Sequence, residues 1–423
     1  MLVGATAYAE TYKGAVKKPA KKAELERCRR GQGSAELSIN NVRARINTSG
    51  NMWYDGSTAR YFVPKDGNST AMFCAALWIG GQDANLQLRV AALKFGQAGD
   101  DFWPGPLTVD ANASVDKAVC EQWDKHFKIT KAEVEYFVDG FEYQGGTFVG
   151  VDASRATEAI KTWPAHGDVS KNQSKFMAPF FDRNGDGVYS WEDGDYPYYD
   201  LSGELCPAKQ KEQWAELGLP FIPTPTMESD TTNPNYGTGG VVKAYGGLLV
   251  DQVLKGDETI WWVFNDKGNA HTESGSENPI GLEIRAQAFA FAMNDEINNM
   301  TFYSYEIINR STFTLTNTYF SQWVDPDLGY AHDDYVGCDV ERGLGYCYNG
   351  KATDGPGTGS YSGNPPAIGI DFFQGPYMDP DGRDNPKVDN IKVADIYGEA
   401  ALDPYRNEDG TVNVLDLNKI VSY

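Results

Sequence analysis

The chain contains 423 residues, of which 41% are hydrophobic and 13% aromatic, enough to bury a substantial core in about two or three domains. Its 59 acidic and 37 basic residues give a net charge of −22, which disfavours binding to nucleic acid or anionic lipid and favours cations. No run of about 20 apolar residues occurs, so the sequence predicts no membrane span.

Residues 1–34 are predicted to lie outside the folded body. Residues 7–9 form an A-x-A pattern of the kind that signal peptidase cleaves, and we expect the complete signal peptide to begin upstream of Met1. Residues 10–30 carry eight Lys or Arg and three Glu, which is typical of an exposed basic linker. Because aromatic residues are almost absent from it, we do not expect this linker to bind nucleic acid.

Residues 35–200 predict a β-rich region with a helical insert and a calcium loop. Residues 37–46 alternate between apolar and polar, with a slip at Asn40 and Asn41 that indicates a bulge or bend. The continuous apolar run at 72–79 predicts a fully buried strand.

The next segments predict one further strand and then helices. Residues 86–90 alternate as in a half-buried strand. Residues 113–165 predict helices, with a capping box formed by Thr130 and Glu133. A short helix is expected to end before Pro164.

The second half of the chain predicts an antiparallel β-sandwich. Residues 201–240 are rich in Pro, Thr and Asn and predict a long joint. Residues 241–423 then contain alternating strands with short turns, which indicate a meander whose apolar face needs a second sheet, followed by long acidic loops. The three alternating strands are 282–293, 301–308 and 313–320, and the apolar run 258–264 precedes them as a further strand. The segment 412–423 has no helix stop signal, so we expect the chain to be truncated at its C-terminus.

The six cysteines lack the spacing of a zinc site. Cys74 lies in the apolar run and predicts a buried thiol. Cys338 and Cys347 are close enough in sequence to close a small loop, but spacing does not determine whether they pair. Connectivity among the six is left open.

One motif has the spacing of a calcium-binding loop. It follows the pattern D-x-[DN]-x-[DN]-G-x5-E, with Asp in the last position, and Gly187 permits the sharp turn that lets alternate side chains converge on one cation. Prolines on either side exclude long flanking helices, so we expect a structural calcium loop; the alternative is a solvated Asp/Gly turn. The predicted Ca²⁺ ligands are Asp182, Asn184, Asp186, Val188 through its carbonyl, Ser190 and Asp193.

Weaker acidic clusters are further candidates for cation binding, although acidic loops are more often simply solvated. The first comprises Asp325, Asp327, Asp333, Asp334 and Asp339, and the second comprises Asp379, Asp381 and Asp384. Residues 407–416 resemble half of a dockerin repeat, for which a turn leading into a helix is the alternative.

No catalytic motif is present, and the four histidines are predicted to be structural or surface residues. The paired carboxylates of a glycosidase have no sequence signature, so the sequence does not exclude a hydrolase. Aromatic residues near the acidic loops are candidates either for stacking on sugar rings or for packing at the sandwich edge. They are Trp323, Tyr330, Tyr335, Tyr346 and Tyr348.

Several motifs together resemble those of large, mostly uncharacterised secreted proteins of Bacteroidota. They are residues 102–107, 178–197, 260–266, 335–346 and 364–369. Such proteins commonly end in a type IX secretion sorting domain, so the resemblance implies export by the type IX machinery. We recognise no such domain within these 423 residues, and the family defines no reaction.

We therefore expect an extracellular or outer-surface protein that is mainly β, an antiparallel β-sandwich with a few short helices and a calcium-binding loop. The leading hypothesis is a non-catalytic, adhesin-like module that binds a glycan or a protein. The alternatives are a secreted polysaccharide hydrolase with paired carboxylates and a structural scaffold region of a larger surface protein.

Overall fold

The structure, a computed structural model, describes residues 27–110, 112–184, 186–199, 253–276 and 278–373. Most of the predicted N-terminal segment and the predicted joint lie outside these ranges. The cluster of Asp379, Asp381 and Asp384 and the dockerin-like segment 407–416 also lie outside them.

The described chain is mainly β, as the sequence predicts. The first strands are β1 (Ser34–Leu37), β2 (Arg43–Asn47), β3 (Asn51–Met52), β4 (Tyr61–Phe62), β5 (Thr70–Met72), β6 (Cys74–Gln82), β7 (Leu88–Ala91), β8 (Trp103–Pro104), β9 (Phe127–Thr130), β10 (Phe141–Gln144), β11 (Thr147–Val151), β12 (Phe180–Phe181) and β13 (Tyr196–Pro197). The later strands are β14 (Glu258–Asn265), β15 (Leu282–Ala290), β16 (Phe302–Asn309), β17 (Thr316–Asp325), β18 (Asp334–Asp339), β19 (Leu344–Asn349) and β20 (Ala367–Asp371). The helices are α1 (Lys117–Gln122), α2 (Lys131–Val138) and α3 (Glu158–Lys161).

Two antiparallel sheets form the sandwich. The eight-stranded sheet has the order β17-β6-β3-β2-β4-β5, with β1 beside β2 and β7 beside β6. The five-stranded sheet has the order β16-β15-β14-β8, with β9 also beside β14. Strands β18, β19 and β20 form a separate three-stranded sheet.

The main core lies between the two large sheets. Ile46 and Ile79 of the first sheet join Trp262, Phe264 and Ile284 of the second in one buried apolar cluster. Side chains alternate across a strand, so every second residue of β14 points into this core. Burial of each such side chain contributes roughly 1.5–3 kcal/mol, which makes this cluster the principal source of stability.

A second core covers the opposite face of the five-stranded sheet. Trp261 and Val263 of β14 pack there against Phe137 of α2, Ile160 of α3 and Phe180 of β12. Strand β14 is therefore buried on both faces, which explains why its sequence is a continuous apolar run.

The slip at Asn40 and Asn41 is a bend, the second of the two predicted alternatives, and it forms the turn of a hairpin in which β1 and β2 pair antiparallel. The Asn40 carboxamide accepts a hydrogen bond from the Val42 amide (2.9 Å) and donates to the Met300 carbonyl (2.8 Å). The turn reverses the chain, so the slip in alternation marks the start of a new strand. Leu86 and Leu88 differ from prediction, because both are exposed.

The segment 113–165 is only partly helical, which corrects the prediction. Helix α2 begins with the predicted capping box, in which Glu133 donates its amide to the Thr130 hydroxyl (3.2 Å) and its carboxylate accepts from the Thr130 amide (2.9 Å). Strands β9, β10 and β11 occupy much of the rest. Gly145 and Gly146 both have positive φ, as a two-residue hairpin loop requires, so they close β10 and β11 into a hairpin.

The predicted meander ends one strand early. Strands β14, β15 and β16 follow it, but β17 crosses to the other sheet and pairs with β6. Sequence regions 35–200 and 241–423 therefore contribute strands to the same two sheets and share one core.

A disulfide joins Cys28 to Cys120, and both residues are buried beside Trp103. Within the described part of the chain, Cys74, Cys338 and Cys347 are free. The question left open for Cys338 and Cys347 is thus answered, because Cys347 is buried in the main core while Cys338 is exposed. Cys74 is buried, as predicted.

A buried ion cluster ties the five-stranded sheet to the segment after β8. The Glu283 carboxylate is fully buried and contacts the guanidinium groups of Arg285 (2.9 Å) and Arg310 (3.1 Å). It also accepts a hydrogen bond from the Leu107 amide (3.0 Å). Burial opposes ionisation of Glu283, but the two guanidinium groups outweigh it and lower the pKa of this carboxyl.

Candidate functional site

The predicted calcium loop closes a small hairpin at the edge of the second core. It runs from Asp182, directly after β12, to Asp195, directly before β13, and the two strands pair antiparallel. Phe180 anchors β12 in the second core. The two ends of the loop are therefore fixed by backbone pairing and apolar packing.

The first half of the loop turns inward through local hydrogen bonds. Asp182 is 1% exposed, and its carboxylate accepts from the Gly187 amide at 2.8 Å. The Asp186 amide donates to the Asn184 side-chain oxygen (3.0 Å), and the Val188 amide donates to the Asp186 carboxylate (2.8 Å). Gly187 has φ +73°, the left-handed conformation that the sharp turn requires.

The second half of the loop is more open. Ser190 caps a short 3₁₀ turn by accepting from the Asp193 amide (3.3 Å), and the Asp193 side chain is exposed. Across the residues that the structure describes, no three His, Cys, Asp or Glu side chains are grouped so that they could hold a metal ion. Calcium binding by the six predicted ligands therefore stays a prediction from the loop pattern.

Asp195 belongs to this loop, although the sequence analysis did not select it. Its carboxylate accepts from the amides of Arg183 (2.8 Å) and Ser190 (2.9 Å), which joins the two halves of the loop. Burial and the nearby Asp182 and Asp186 raise the pKa of Asp195 to about 6. In the sequence, the only feature that could have indicated Asp195 is its position two residues after Asp193, the last predicted ligand. These carboxylates repel one another, and a bound cation would relieve that repulsion.

The acidic residues near 325–339 are only partly brought together. Asp325 ends β17 and Asp334 begins β18, with Asp327 in the connection between them. Burial, followed by repulsion from Asp325 and Asp334, raises the pKa of Asp327 to about 6. Asp333 lies next to this group and accepts from the Asn349 side chain (3.1 Å).

Asp354 joins this cluster and was not predicted. Its carboxylate accepts from the amides of Tyr330 (3.1 Å) and Tyr361 (2.7 Å). Burial is the main cause of the raised pKa of Asp334, and the charges of Asp333 and Asp354 raise it further. The contacts of Asp354 are with a loop distant in sequence, so spacing gave no signal for it.

Asp339 does not belong to the cluster. It lies at the far end of β18, about 16 Å from Asp334 along the strand, and pairs with Arg342 in the following turn. The structure therefore does not bring Asp339 beside the other four aspartates.

Three tyrosines form an exposed row on the sheet of β18, β19 and β20, which we call the tyrosine row. Tyr335, Tyr348 and Tyr346 are 58%, 43% and 37% exposed. The ring centroids of Tyr335 and Tyr348 lie 5.8 Å apart with planes 22° apart, and those of Tyr348 and Tyr346 lie 6.2 Å apart with planes 31° apart. The row therefore presents a stacked pair of rings, Tyr335 and Tyr348, and a third, tilted ring to solvent.

The register of the sheet explains the row. Tyr335 pairs with Tyr348, and Tyr346 pairs with Gly337, so all three side chains lie on one face. A Cβ at Gly337 would lie 2.5 Å from the Tyr346 ring, so that ring occupies the space over the glycine. Cys347 lies on the opposite face and is buried in the main core.

Trp323 and Tyr330, the other two aromatic candidates, are half-buried. The Trp323 ring lies 6.1 Å from that of Trp78 and 5.2 Å from that of Phe95. Tyr330 packs its ring against His332 (5.1 Å). These contacts favour packing for Trp323 and Tyr330 over a role in ligand stacking.

All four histidines have structural contacts; the His332 ring packs against Tyr330, and the His126 ring lies 5.6 Å from that of Trp262. Both ring nitrogens of His271 face backbone oxygens, of Val90 (2.8 Å) and Asp266 (2.6 Å). His166 accepts from the Tyr189 amide (2.8 Å), which holds the calcium loop. Burial lowers the pKa of His126 to about 3, so its ring is neutral near pH 7.

The chain was compared with protein families, curated proteins and solved structures. No protein-family model, curated protein or solved structure matches the chain. In the described part of the chain, none of the helices has the length and apolar character to cross a membrane.

Proposed function

We propose that this protein is a secreted or cell-surface, non-catalytic module that binds a neutral glycan through the tyrosine row. The observation that carries the proposal is the exposure of three adjacent tyrosine rings on a sheet face turned away from the core. Tyrosine combines an apolar ring, which can contact the C–H face of a sugar, with a hydroxyl that hydrogen-bonds to sugar hydroxyls.

The surroundings of the row favour a neutral glycan over an acidic one. The strand register places Asp339 and Asp371 on the same face as the tyrosines. Carboxylates accept hydrogen bonds from sugar hydroxyls and repel uronate or sulfate groups. The chain as a whole carries a net charge of −22, which adds to this repulsion.

Two features support an extracellular location. The buried disulfide between Cys28 and Cys120 is the kind of bond that persists in oxidising compartments. Calcium loops of extracellular modules often bind with a dissociation constant of about 10⁻⁴–10⁻³ M, so such a loop would be occupied only where calcium is plentiful, as it is outside cells. Export by the type IX machinery belongs to the same proposal and rests on the sequence resemblance.

We expect Tyr335→Ala and Tyr348→Ala each to weaken glycan binding by about tenfold or more, because each removes one ring of the row. A glycan array with the wild-type protein would first identify a neutral ligand, and titration calorimetry with that ligand would measure the loss. Tyr143→Ala is the matched control, since Tyr143 is 54% exposed on the β10–β11 hairpin. Equal affinities for all three variants and the wild type would contradict the proposal.

A polysaccharide hydrolase is the second candidate, and the raised pKa of Asp327 is the observation that favours it. A buried carboxyl beside other carboxyls is suited to act as a general acid. Incubating the array ligand with the protein and analysing the sugars released would distinguish the two. If the protein cleaves the ligand and Asp327→Asn abolishes that cleavage, the protein is a hydrolase and the non-catalytic function is wrong.

We further propose that loop 182–193 holds structural calcium through the six predicted ligands, with Asp195 joining its halves. Calcium at about 10 times its dissociation constant should stabilise the wild type by about 1.4 kcal/mol. Asp186→Ala should remove most of this gain, because it deletes a predicted ligand. Melting temperatures in millimolar calcium and in chelator would measure the effect, since extracellular sites often bind at about 10⁻⁴–10⁻³ M.

Asp152→Ala provides the control for this experiment. Asp152 also caps a short turn by accepting from the Ser154 amide (3.0 Å), but it lies outside the loop. It should therefore shift the melting temperature equally with and without calcium. A wild-type protein that melts at the same temperature in calcium and in chelator would refute the calcium proposal.

A further inference from the structure

His271 lies in the connection between β14 and β15, and its ring bridges the two sheets of the sandwich. Its side chain has no exposed surface. Nδ1 lies 2.8 Å from the carbonyl oxygen of Val90 on β7, in the eight-stranded sheet. Nε2 lies 2.6 Å from the carbonyl oxygen of Asp266, directly after β14 of the five-stranded sheet. Each ring nitrogen therefore faces a backbone acceptor.

These two contacts determine how many protons the ring carries. A carbonyl oxygen only accepts hydrogen bonds, so each ring nitrogen has to donate. A neutral imidazole has one N–H and one lone pair, and in either tautomer the lone pair would face an oxygen at 2.6 or 2.8 Å. The imidazolium ion, in which both nitrogens carry a proton, makes both hydrogen bonds.

Two buried carboxylates balance the charge of this ring. Asp101 and Asp266 have no exposed surface, and one oxygen of each lies 3.6 Å from a ring nitrogen of His271. Burial raises the pKa of Asp266, and the charge of His271 together with three backbone amides opposes that shift. A buried ion without a partner is costly, so the ring and the two carboxylates stabilise one another in their ionised forms.

The same carboxylates hold the ends of the β14–β15 connection in place. Asp101 accepts from the amide of Ala92 (3.0 Å), directly after β7, and from the amide of Glu273 (3.0 Å). Asp266 accepts from the amide of Leu282 (2.6 Å), at the start of β15. Loss of the ring proton would therefore weaken a network that joins the connection to the eight-stranded sheet.

The other described charged side chains in segments 89–101 and 266–282 have partners of their own. These pairs are Lys94 with Glu273 (3.0 Å), Arg30 with Asp100 (3.5 Å), Arg89 with Asp83 (2.9 Å) and Lys267 with the Asn112 carbonyl (2.6 Å). Among the residues that the structure describes, Asp101 and Asp266 are the acidic side chains within 4 Å of the ring nitrogens. These two carboxylates therefore provide the charge that faces the ring.

We propose that Asp101, His271 and Asp266 form a pH-sensitive latch, which we call the His271 latch, and that it holds the β14–β15 connection while the ring is doubly protonated. When the ring loses a proton, one hydrogen bond becomes a repulsion between a lone pair and a carbonyl oxygen. The same histidine in the unfolded chain loses its proton near about pH 6.5. Above that pH the folded state binds one more proton than the unfolded state, so the stability that the latch contributes decreases as pH rises.

Nitrogen-15 NMR of the full chain with labelled histidine tests the protonation directly. At pH 8 we expect one imidazolium ring among the four histidines. Burial lowers the pKa of His126 and of His166, and His332 is exposed, where an imidazole is neutral at that pH. The imidazolium signal should be absent from His271→Gln. Four neutral rings in the wild type at pH 8 would overturn the proposal.

Urea unfolding at pH 7, 8 and 9 tests the effect on stability. His271→Gln should be less stable than the wild type at pH 7, and the difference should narrow as pH rises. The narrowing should reach up to about tenfold in the unfolding equilibrium constant per pH unit, which is the effect of one proton. His332→Gln is the matched control and should follow the pH dependence of the wild type. A parallel pH dependence for His271→Gln and the wild type would refute the latch.

The test remains decisive if His271→Gln does not fold. The variants His126→Gln, His166→Gln and His332→Gln then assign the imidazolium signal by elimination. A signal that persists in all three belongs to His271 and supports the latch. Its loss in one of them assigns the charge to another ring and overturns the proposal.

Discussion

Replacing Cys28 and Cys120 together with alanine should lower the free energy of unfolding by about 4 kcal/mol. The disulfide joins residues 92 positions apart, so it closes a long loop in the unfolded chain and restricts that ensemble strongly. Both residues are buried beside Trp103, and the bond attaches the segment around Cys28 to α1, which contains Cys120. The loss should therefore be accompanied by release of the segment around Cys28.

Urea unfolding of the wild type and the double variant would measure this change. Cys338→Ala is the control, because Cys338 is exposed and free, and it should change stability by less than about 0.5 kcal/mol. Reductant should lower the midpoint of the wild type and leave that of the double variant unchanged. An unchanged wild-type midpoint under full reduction would show that the disulfide does not stabilise the fold.

Replacing Glu283 with alanine should destabilise the protein by about 3–5 kcal/mol. Its carboxylate is fully buried and lies against the guanidinium groups of Arg285 and Arg310. Without it, both positive charges lose their shared buried counterion, and the Leu107 amide loses its acceptor. Glu283 lies on β15 with no exposed surface, so solvent cannot compensate and most of the interaction energy should be lost.

Glu306→Ala is the matched control for this second variant. Glu306 lies 3.8 Å from Arg285, but its side chain is about one-third exposed. Partly exposed ion pairs contribute little, so the change should be below about 1 kcal/mol. Chemical denaturation of both variants would measure the difference, and similar stabilities for the two would contradict the role assigned to the Glu283 cluster.

The local elements were predictable because their signals lie within a few residues. The capping box at Thr130 depends on a residue three positions away, and the inward turn at Asp182 depends on Gly187. Both patterns require only short-range hydrogen bonds. Burial of β14 was also predictable, because a run of apolar side chains has to be covered on both faces.

The candidate sites were only partly predictable, because they depend on contacts between segments that are distant in the sequence. Tyr335, Tyr346 and Tyr348 could not be separated from Trp323 and Tyr330 by sequence, because exposure depends on which strand face is turned towards the core. Another functional candidate, Asp354, occurs in a segment without any recognisable motif. Its importance follows from neighbours that the fold brings close.

The amino-acid sequence by itself determined the mainly β character of the chain, its buried strands and the pattern of the loop at 182–193. These follow from side-chain periodicity and short spacing, which act along the chain. The tertiary structure alone decided that β17 pairs with β6, that Cys28 pairs with Cys120 and that the tyrosine row exists. These features depend on contacts between residues far apart in sequence, whose register is set by how whole sheet faces pack together.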